Sequence, residues 1–178
     1  DMDEASLVSK LVEAQRALRD LGADLKLVEP ENIHATVRFL GEVPATTIEL
    51  VKEQMNEVKF GPFDAEFVGL GAFPNLRRIN VVWVGMRKGH DETSRIFQQL
   101  EPRIEKIGFA PDRKGFSPHV TIARVKTGRM RDELAKLVDE MRDTPFGVVH
   151  VSELRLKRSV LTPKGPVYST IHSVRANQ

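Results

Sequence analysis

The sequence predicts an α+β fold of two lobes with approximate two-fold symmetry, antiparallel sheets lining a central cleft and helices on the outside. Three observations carry that prediction. Strand-like segments come in adjacent pairs joined by short turns, which favours antiparallel pairing. Helices do not alternate regularly with single strands, as a parallel βαβ sheet would require. A helix-then-strand order occurs in both halves, and each half holds one strand-like segment with a His-x-Thr unit.

Residues 3–21 read as an amphipathic helix, with Leu7, Val8, Leu11, Val12, Leu18 and Leu21 on one face and Gly22 as its stop. "LKLVEP" is a short strand ended by Pro30. Residues 32–40 alternate, Ile33, Ala35, Val37 and Phe39 on one side and His34, Thr36 and Arg38 on the other. A helix over about 46–58 opens on a capping-box pattern, Thr46 with Glu49. Strands over 63–70 and 79–86 are joined by "GAFPNLRR". The helix over 91–107 contains Pro102, which should kink or split it. A loop, "GFAPDRKGFSP", leads to the second His-x-Thr strand at 118–125. A helix follows at 130–142, then two strands near 146–161 and 166–175 around the turn "TPKGP".

A chain of 178 residues suits a single two-lobed domain spanning 1–178. Its 40% hydrophobic and 29% charged content is that of a globular protein and not a disordered one. With no cysteine, disulfides and thiolate metal sites are ruled out. No apolar run approaches the ~20 residues that cross a bilayer, and the acidic, polar opening "DMDEASLVSK" does not read as a signal peptide. A cytoplasmic monomer is the expectation. The net charge of +2 is too small for bulk nucleic-acid binding but permits a local basic cleft. The basic clusters are "NLRRIN", "RVKTGRMR" and "ELRLKRSV", and a solvated face is the ordinary reading of any one of them.

Composition alone predicts about 0.25 His-x-Thr triplets in this chain, yet there are two, "HAT" at 34–36 and "HVT" at 119–121. Residues i and i+2 of a strand share a face, so His34 looks the same way as Thr36, and His119 the same way as Thr121. If the two strands lie side by side, two imidazoles face each other across a groove, each flanked by a hydroxyl. Histidine changes charge near neutrality, so one ring can take a proton while its twin gives one. Threonine hydroxyls can donate to non-bridging phosphate oxygens between them. These are the groups that in-line displacement at phosphorus requires. Zinc is the competing reading for two histidines, but no third ligand stands at metal spacing.

"HATVRFLGEV" and "HVTIAR" resemble the paired motifs of the 2H phosphoesterases. The branch they look most like is the RNA 2′,3′-cyclic phosphodiesterases, historically called 2′-5′ RNA ligases. "GAFPNLRRINVVWVGM" and "LKRSVLTPKGPVYST" are similar to that branch's middle and C-terminal hairpins, in an archaeal style. The resemblance implies hydrolysis of a terminal 2′,3′-cyclic phosphate on RNA to a 2′-phosphate, without metal or cofactor, and reversible 2′-5′ joining of RNA ends in some members. It implies His34 as proton donor to the departing 3′ oxygen and His119 as the base that activates water; the residues alone do not distinguish these roles. It also implies Arg124, three residues past Thr121, as a phosphate ligand. Simple alternation points Arg124 away from His119, and a bulge would be needed to bring it round. Arg38, on the His34 side by alternation, is the competing phosphate ligand. The alternatives are a non-catalytic RNA-end binding module, or a same-fold phosphodiesterase acting on another cyclic phosphate or a 2′-5′ linkage.

Among the remaining residues, His90 reads as exposed, and His150 and His172 as structural. Trp83 reads as core. Phe39 and Tyr168 are candidates to stack on a base, and Lys164 could reach a phosphate from its turn.

Overall fold

Two sheets of unequal size organise the chain. The computed structural model describes residues 4–112, 115–163 and 165–177; Lys164 lies outside them. In order these form helix α1 (Glu4–Asp20), strand β1 (Leu25–Leu27), a 3-10 turn at Pro30–Asn32, α2 (Ala45–Asn56), β2 (Phe63–Asn75), β3 (Arg78–Met86), α3 (His90–Lys106), β4 (His119–Val125), α4 (Arg131–Glu140), β5 (Pro145–Val151), β6 (Glu153–Thr162) and β7 (Gly165–Arg175). The predicted α+β class holds. One sheet has the order β1-β4-β3-β2-β5, and β6 and β7 form a two-stranded ribbon of their own.

The chain divides into two units. The first takes the described residues of Asp1–Ala35, Asp64–Lys88 and His119–Val149, and so owns the five-stranded sheet with α1 and α4. Its core is built from Leu7, Leu11 and Leu18 of α1, Val82 and Val84 of β3, Val120 and Ile122 of β4, and Leu134 and Val138 of α4, all almost fully buried. Of the predicted α1 stripe Leu7, Leu11 and Leu18 are buried while Val8, Val12 and Leu21 are half-buried, and Ala14 and Gln15 complete the buried face. The second unit takes the described residues of Thr36–Phe63, Gly89–Pro118 and His150–Gln178. There Val51, Met55 and Val58 of the α2 segment, Ile96, Leu100 and Ile104 of α3, and Leu154 of β6 form a separate cluster.

Several predicted elements differ in detail. Residues 32–40 are not a strand: Ala35 alone pairs, with Val120. Ala35 is exposed and Phe39 is 70% exposed, while Val37 and Leu40 pack against the second unit's core. The predicted alternation fails because the segment leaves the sheet after one pair and joins another core. Pro44, not Thr46, caps α2, with no side-chain cap bond. Helix α3 runs through Pro102 without splitting; a proline removes only one amide donor, and Ile96, Leu100 and Ile104 hold the flanking turns in the core. The β2–β3 hairpin is tighter than expected, with Asn75 paired to Arg78. Its turn is closed by the Asn75 side chain, which accepts from the amides of Arg77 and Arg78. The last stretch makes three strands, since the chain passes from the large sheet to the ribbon at Ser152.

Candidate active site

The first unit brings together two residues from opposite halves of the sequence. Strand β4 is hydrogen-bonded to β3 on one edge and to β1 on the other. Beyond β1 the outer edge of β4 is met by Ala35, which opposes Val120 in antiparallel sense. The neighbours of that pair, His34 and Thr121, are therefore cross-strand partners on one face. His119, two residues before Thr121, lies diagonally from His34 at about 7–8 Å between backbones.

Each ring is held. His34 is half-buried, and its Nδ1 lies 2.6 Å from the carbonyl oxygen of Asn32, at the end of the 3-10 turn. A carbonyl only accepts, so Nδ1 carries the hydrogen and Nε2 is the nitrogen left to exchange a proton. His119, also half-buried, is set against two aromatic rings of the same sheet face. Phe73 meets it edge-on with centroids 5.0 Å apart, and Trp83 lies 6.0 Å away, tilted. Phe73 and Trp83 are in turn 5.1 Å apart.

Glycines make room for this arrangement. Gly71 pairs directly with Trp83, and a β-carbon on Gly71 would lie 2.7 Å from Trp83 Cε2 and closer still to Cζ2 and Cη2. The indole lies across Gly71, and the core role predicted for Trp83 is corrected accordingly: it lies on the histidine face and not among the buried valines. The signal was present in the sequence, since Trp83 alternates with Val82 and Val84, both fully buried.

Arg124 reaches the same face through a bulge. Val82 pairs with Ala123 and Trp83 with Thr121, so β4 carries one residue more than β3 at this point. Ile122 and Ala123 are both buried, and the alternation is reset beyond them. Val81, on the Trp83 side of β3, pairs with Arg124. The exposed Arg124 thus joins Thr121 and His119 on one face, which plain alternation forbade. Gln15, a buried polar residue in the apolar stripe of α1, anchors the bulge. Its Nε2 donates to the carbonyls of Ile122 at 2.8 Å and Val28 at 2.7 Å, and the amide of Val28 also donates to Ile122. Sequence reasoning passed over Gln15; a polar residue among Leu11, Ala14 and Leu18 was the available signal.

Thr36 follows Ala35 and opens the second unit. Arg38 is there too, so the alternation that placed it beside His34 does not apply. Its guanidinium is 12% exposed and pairs with Glu101 at 2.7 Å and Asp112 at 3.9 Å, while donating to the carbonyls of Phe39 and Ala110. Glu101 also accepts from the amide of Asp112 at 2.6 Å. These bonds tie the loop after α3 to the helix. His172 lies 2.9 Å from the Asn56 side chain. His90 sits beside Asp91, and His150 is exposed. Among the described residues, no group of three or more His, Asp or Glu side chains could hold a metal ion, and no helix is long and apolar enough to cross a membrane.

The LigT like Phosphoesterase family matches the chain over residues 3–83 and again over 84–168. Each match contains one His-x-Thr unit. The chain belongs to this family. Among relatives of the LigT-like phosphoesterase, an Aeropyrum pernix protein named RNA 2′,3′-cyclic phosphodiesterase is 41% identical over 170 residues, covering 96% of this chain and 97% of that one. A Methanothermobacter thermautotrophicus protein of the same name is 38% identical, covering 98% and 95%. A crystal structure from Thermus thermophilus superposes with a TM-score of 0.79 at 28% identity, covering 94% of this chain and 90% of that one. E. coli LigT complexed with 3′-AMP superposes at 0.78 with 21% identity, covering 98% and 93%, a likeness of fold.

Proposed function

We propose that this LigT-like phosphoesterase hydrolyses RNA 2′,3′-cyclic phosphate ends, the substrate named in its relatives. The observation that carries the reading is the Ala35–Val120 bridge, which sets His34 and His119 diagonally across one sheet edge. His119 takes a proton from water as the oxygen attacks phosphorus. The bond from phosphorus to the 3′ oxygen breaks, and His34, entering the cycle as the imidazolium, gives its Nε2 proton to that oxygen. A 2′-phosphate and a 3′-hydroxyl result. Thr36 and Thr121 donate to the non-bridging oxygens, and Arg124 offsets the charge that accumulates there.

The test is hydrolysis of an oligonucleotide ending in a 2′,3′-cyclic phosphate, with and without chelator, by the wild type and by His34→Ala and His119→Ala. General acid–base catalysis by each ring means a loss of at least ~10²-fold in turnover for either variant. Unchanged turnover in both variants overturns the assignment. Activity that disappears in chelator overturns the proposed chemistry.

A further inference from the structure

Two of the basic clusters in the sequence, "NLRRIN" and "RVKTGRMR", meet in space. They line a pocket of about 230 Å³ in the first unit, at the end of β3 and β4 beside the start of α4. Its polar wall is Arg78, Asn80, Lys126, Thr127, Arg129 and Arg131. Four of these six carry positive charge. Opposing charge is sparse: Asp24 stands 4.0 Å from Lys126, and the highly exposed Asp132 stands 3.8 Å from Arg131. Arg78 and Arg129 have no carboxylate partner among the described residues.

The pocket is joined to the histidine face by cations in register. Arg124 and Lys26 pair across β4 and β1, and both are exposed. The amide of Lys126 bonds to Asp24, continuing that ladder. Two residues beyond Arg124, Lys126 shares its face and also lines the pocket. From Thr121 to Lys126 the chain advances about 13 Å, at roughly 3.3 Å per residue with one residue taken up by the bulge. That is farther than one cyclic nucleotide reaches from its phosphate.

We propose that this pocket is a second binding site, which takes the backbone phosphates of the RNA strand upstream of the reacting end. The site binds phosphodiester charge and reads no base, because its wall is cationic and offers no aromatic platform. The inference rests on the proposed RNA chemistry for the identity of the strand. Its consequence is that the enzyme prefers an oligonucleotide to a cyclic mononucleotide, and that the preference is salt-sensitive.

Arg78→Glu combined with Arg129→Glu tests it, since both residues line the pocket and neither has a role in the proposed reaction at phosphorus. The substrates are a 2′,3′-cyclic mononucleotide and an octanucleotide ending in the same cyclic nucleotide. KM for the octanucleotide is expected to rise at least tenfold with kcat retained, while kcat/KM for the mononucleotide stays within twofold. The slope of log affinity against log salt should flatten by about 1.4, at 0.7 per lost phosphate contact on a single strand. Arg→Lys at both positions should restore most of the octanucleotide KM. An unchanged octanucleotide KM, or equal losses on both substrates, overturns the proposal. Anisotropy binding of a labelled octanucleotide with an ordinary 3′-hydroxyl needs no turnover, so it reads the pocket even if the wild type hydrolyses neither substrate. In that assay equal affinity of wild type and double glutamate variant overturns the pocket. If 1 mM inorganic phosphate competes as effectively as the octanucleotide, the site is for a free anion and the proposal also falls.

Discussion

Gly71→Ala tests whether the aromatic seat of His119 matters. The added methyl carbon would stand 2.7 Å from Trp83 Cε2 and nearer to two other indole carbons, against an ordinary contact of 3.4–4 Å. Backbone flanks it on a central strand, so the indole has to withdraw by about an ångström. The indole touches Phe73 and His119, and the displacement passes to the imidazole. Overpacking of this kind costs about 1–3 kcal/mol, which for a domain of this size lowers Tm by about 2–12 °C. A catalytic group misplaced by about 1 Å loses on the order of 10²-fold in rate. The assay is kcat and KM on a cyclic-phosphate oligonucleotide beside a thermal melt, with Gly61→Ala as control, since a β-carbon there meets nothing within 4 Å. The expected result is a fall in kcat with little change in KM, and no change for the control. A Gly71→Ala protein that melts at the wild-type temperature with wild-type kcat refutes the reasoning.

Trp83 is the chain's single tryptophan, and its ring lies 6.0 Å from that of His119, so its emission should change in His119→Ala; an identical spectrum in the variant would contradict the contact. Arg38→Ala leaves Glu101, 11% exposed, without its cation, and should cost about 3–5 kcal/mol, read as a Tm drop of about 6–20 °C; lost activity in a protein of unchanged Tm would instead assign Arg38 to the phosphate. Gln15→Leu removes the side-chain donor to Ile122 and Val28; the bulge should loosen and KM rise more than kcat falls, and an unchanged KM would disconnect Gln15 from the placement of Arg124. The Arg87 guanidinium donates to Glu66 at 3.0 and 2.7 Å and holds that carboxyl below its ordinary range. The stabilisation is therefore complete above the ordinary carboxylate range and lost as pH falls through the lowered value. Glu66→Gln should lower Tm slightly at neutral pH and leave it unchanged in strong acid; a constant difference across pH would contradict the pairing.

Most helices and strands were legible because their apolar periods match the faces they bury, as in α1, α3 and β4. The segment 32–40 misled for a physical reason. Alternation records which side chains avoid water, and Val37 and Leu40 avoid it in a different core from the one Val120 packs into. The same limit applies to Trp83, whose apolar neighbours suggested burial while its own parity put it on the other side of the sheet.

The one-dimensional pattern determined the residue types of the candidate site, the α+β class and the duplicated His-x-Thr units, because each is a local property of a few residues. Which segments share a unit was decided only by tertiary structure. His34 and His119 come from different halves yet belong to one unit, and a single backbone pair, Ala35 with Val120, sets their register. The face of Arg124 was likewise open until the bulge at Ile122 reset the alternation, and that bulge is held by Gln15, more than a hundred residues away in the chain. Pairing partners and bulges are long-range choices, settled by where buried carbonyls find donors and apolar side chains find a core.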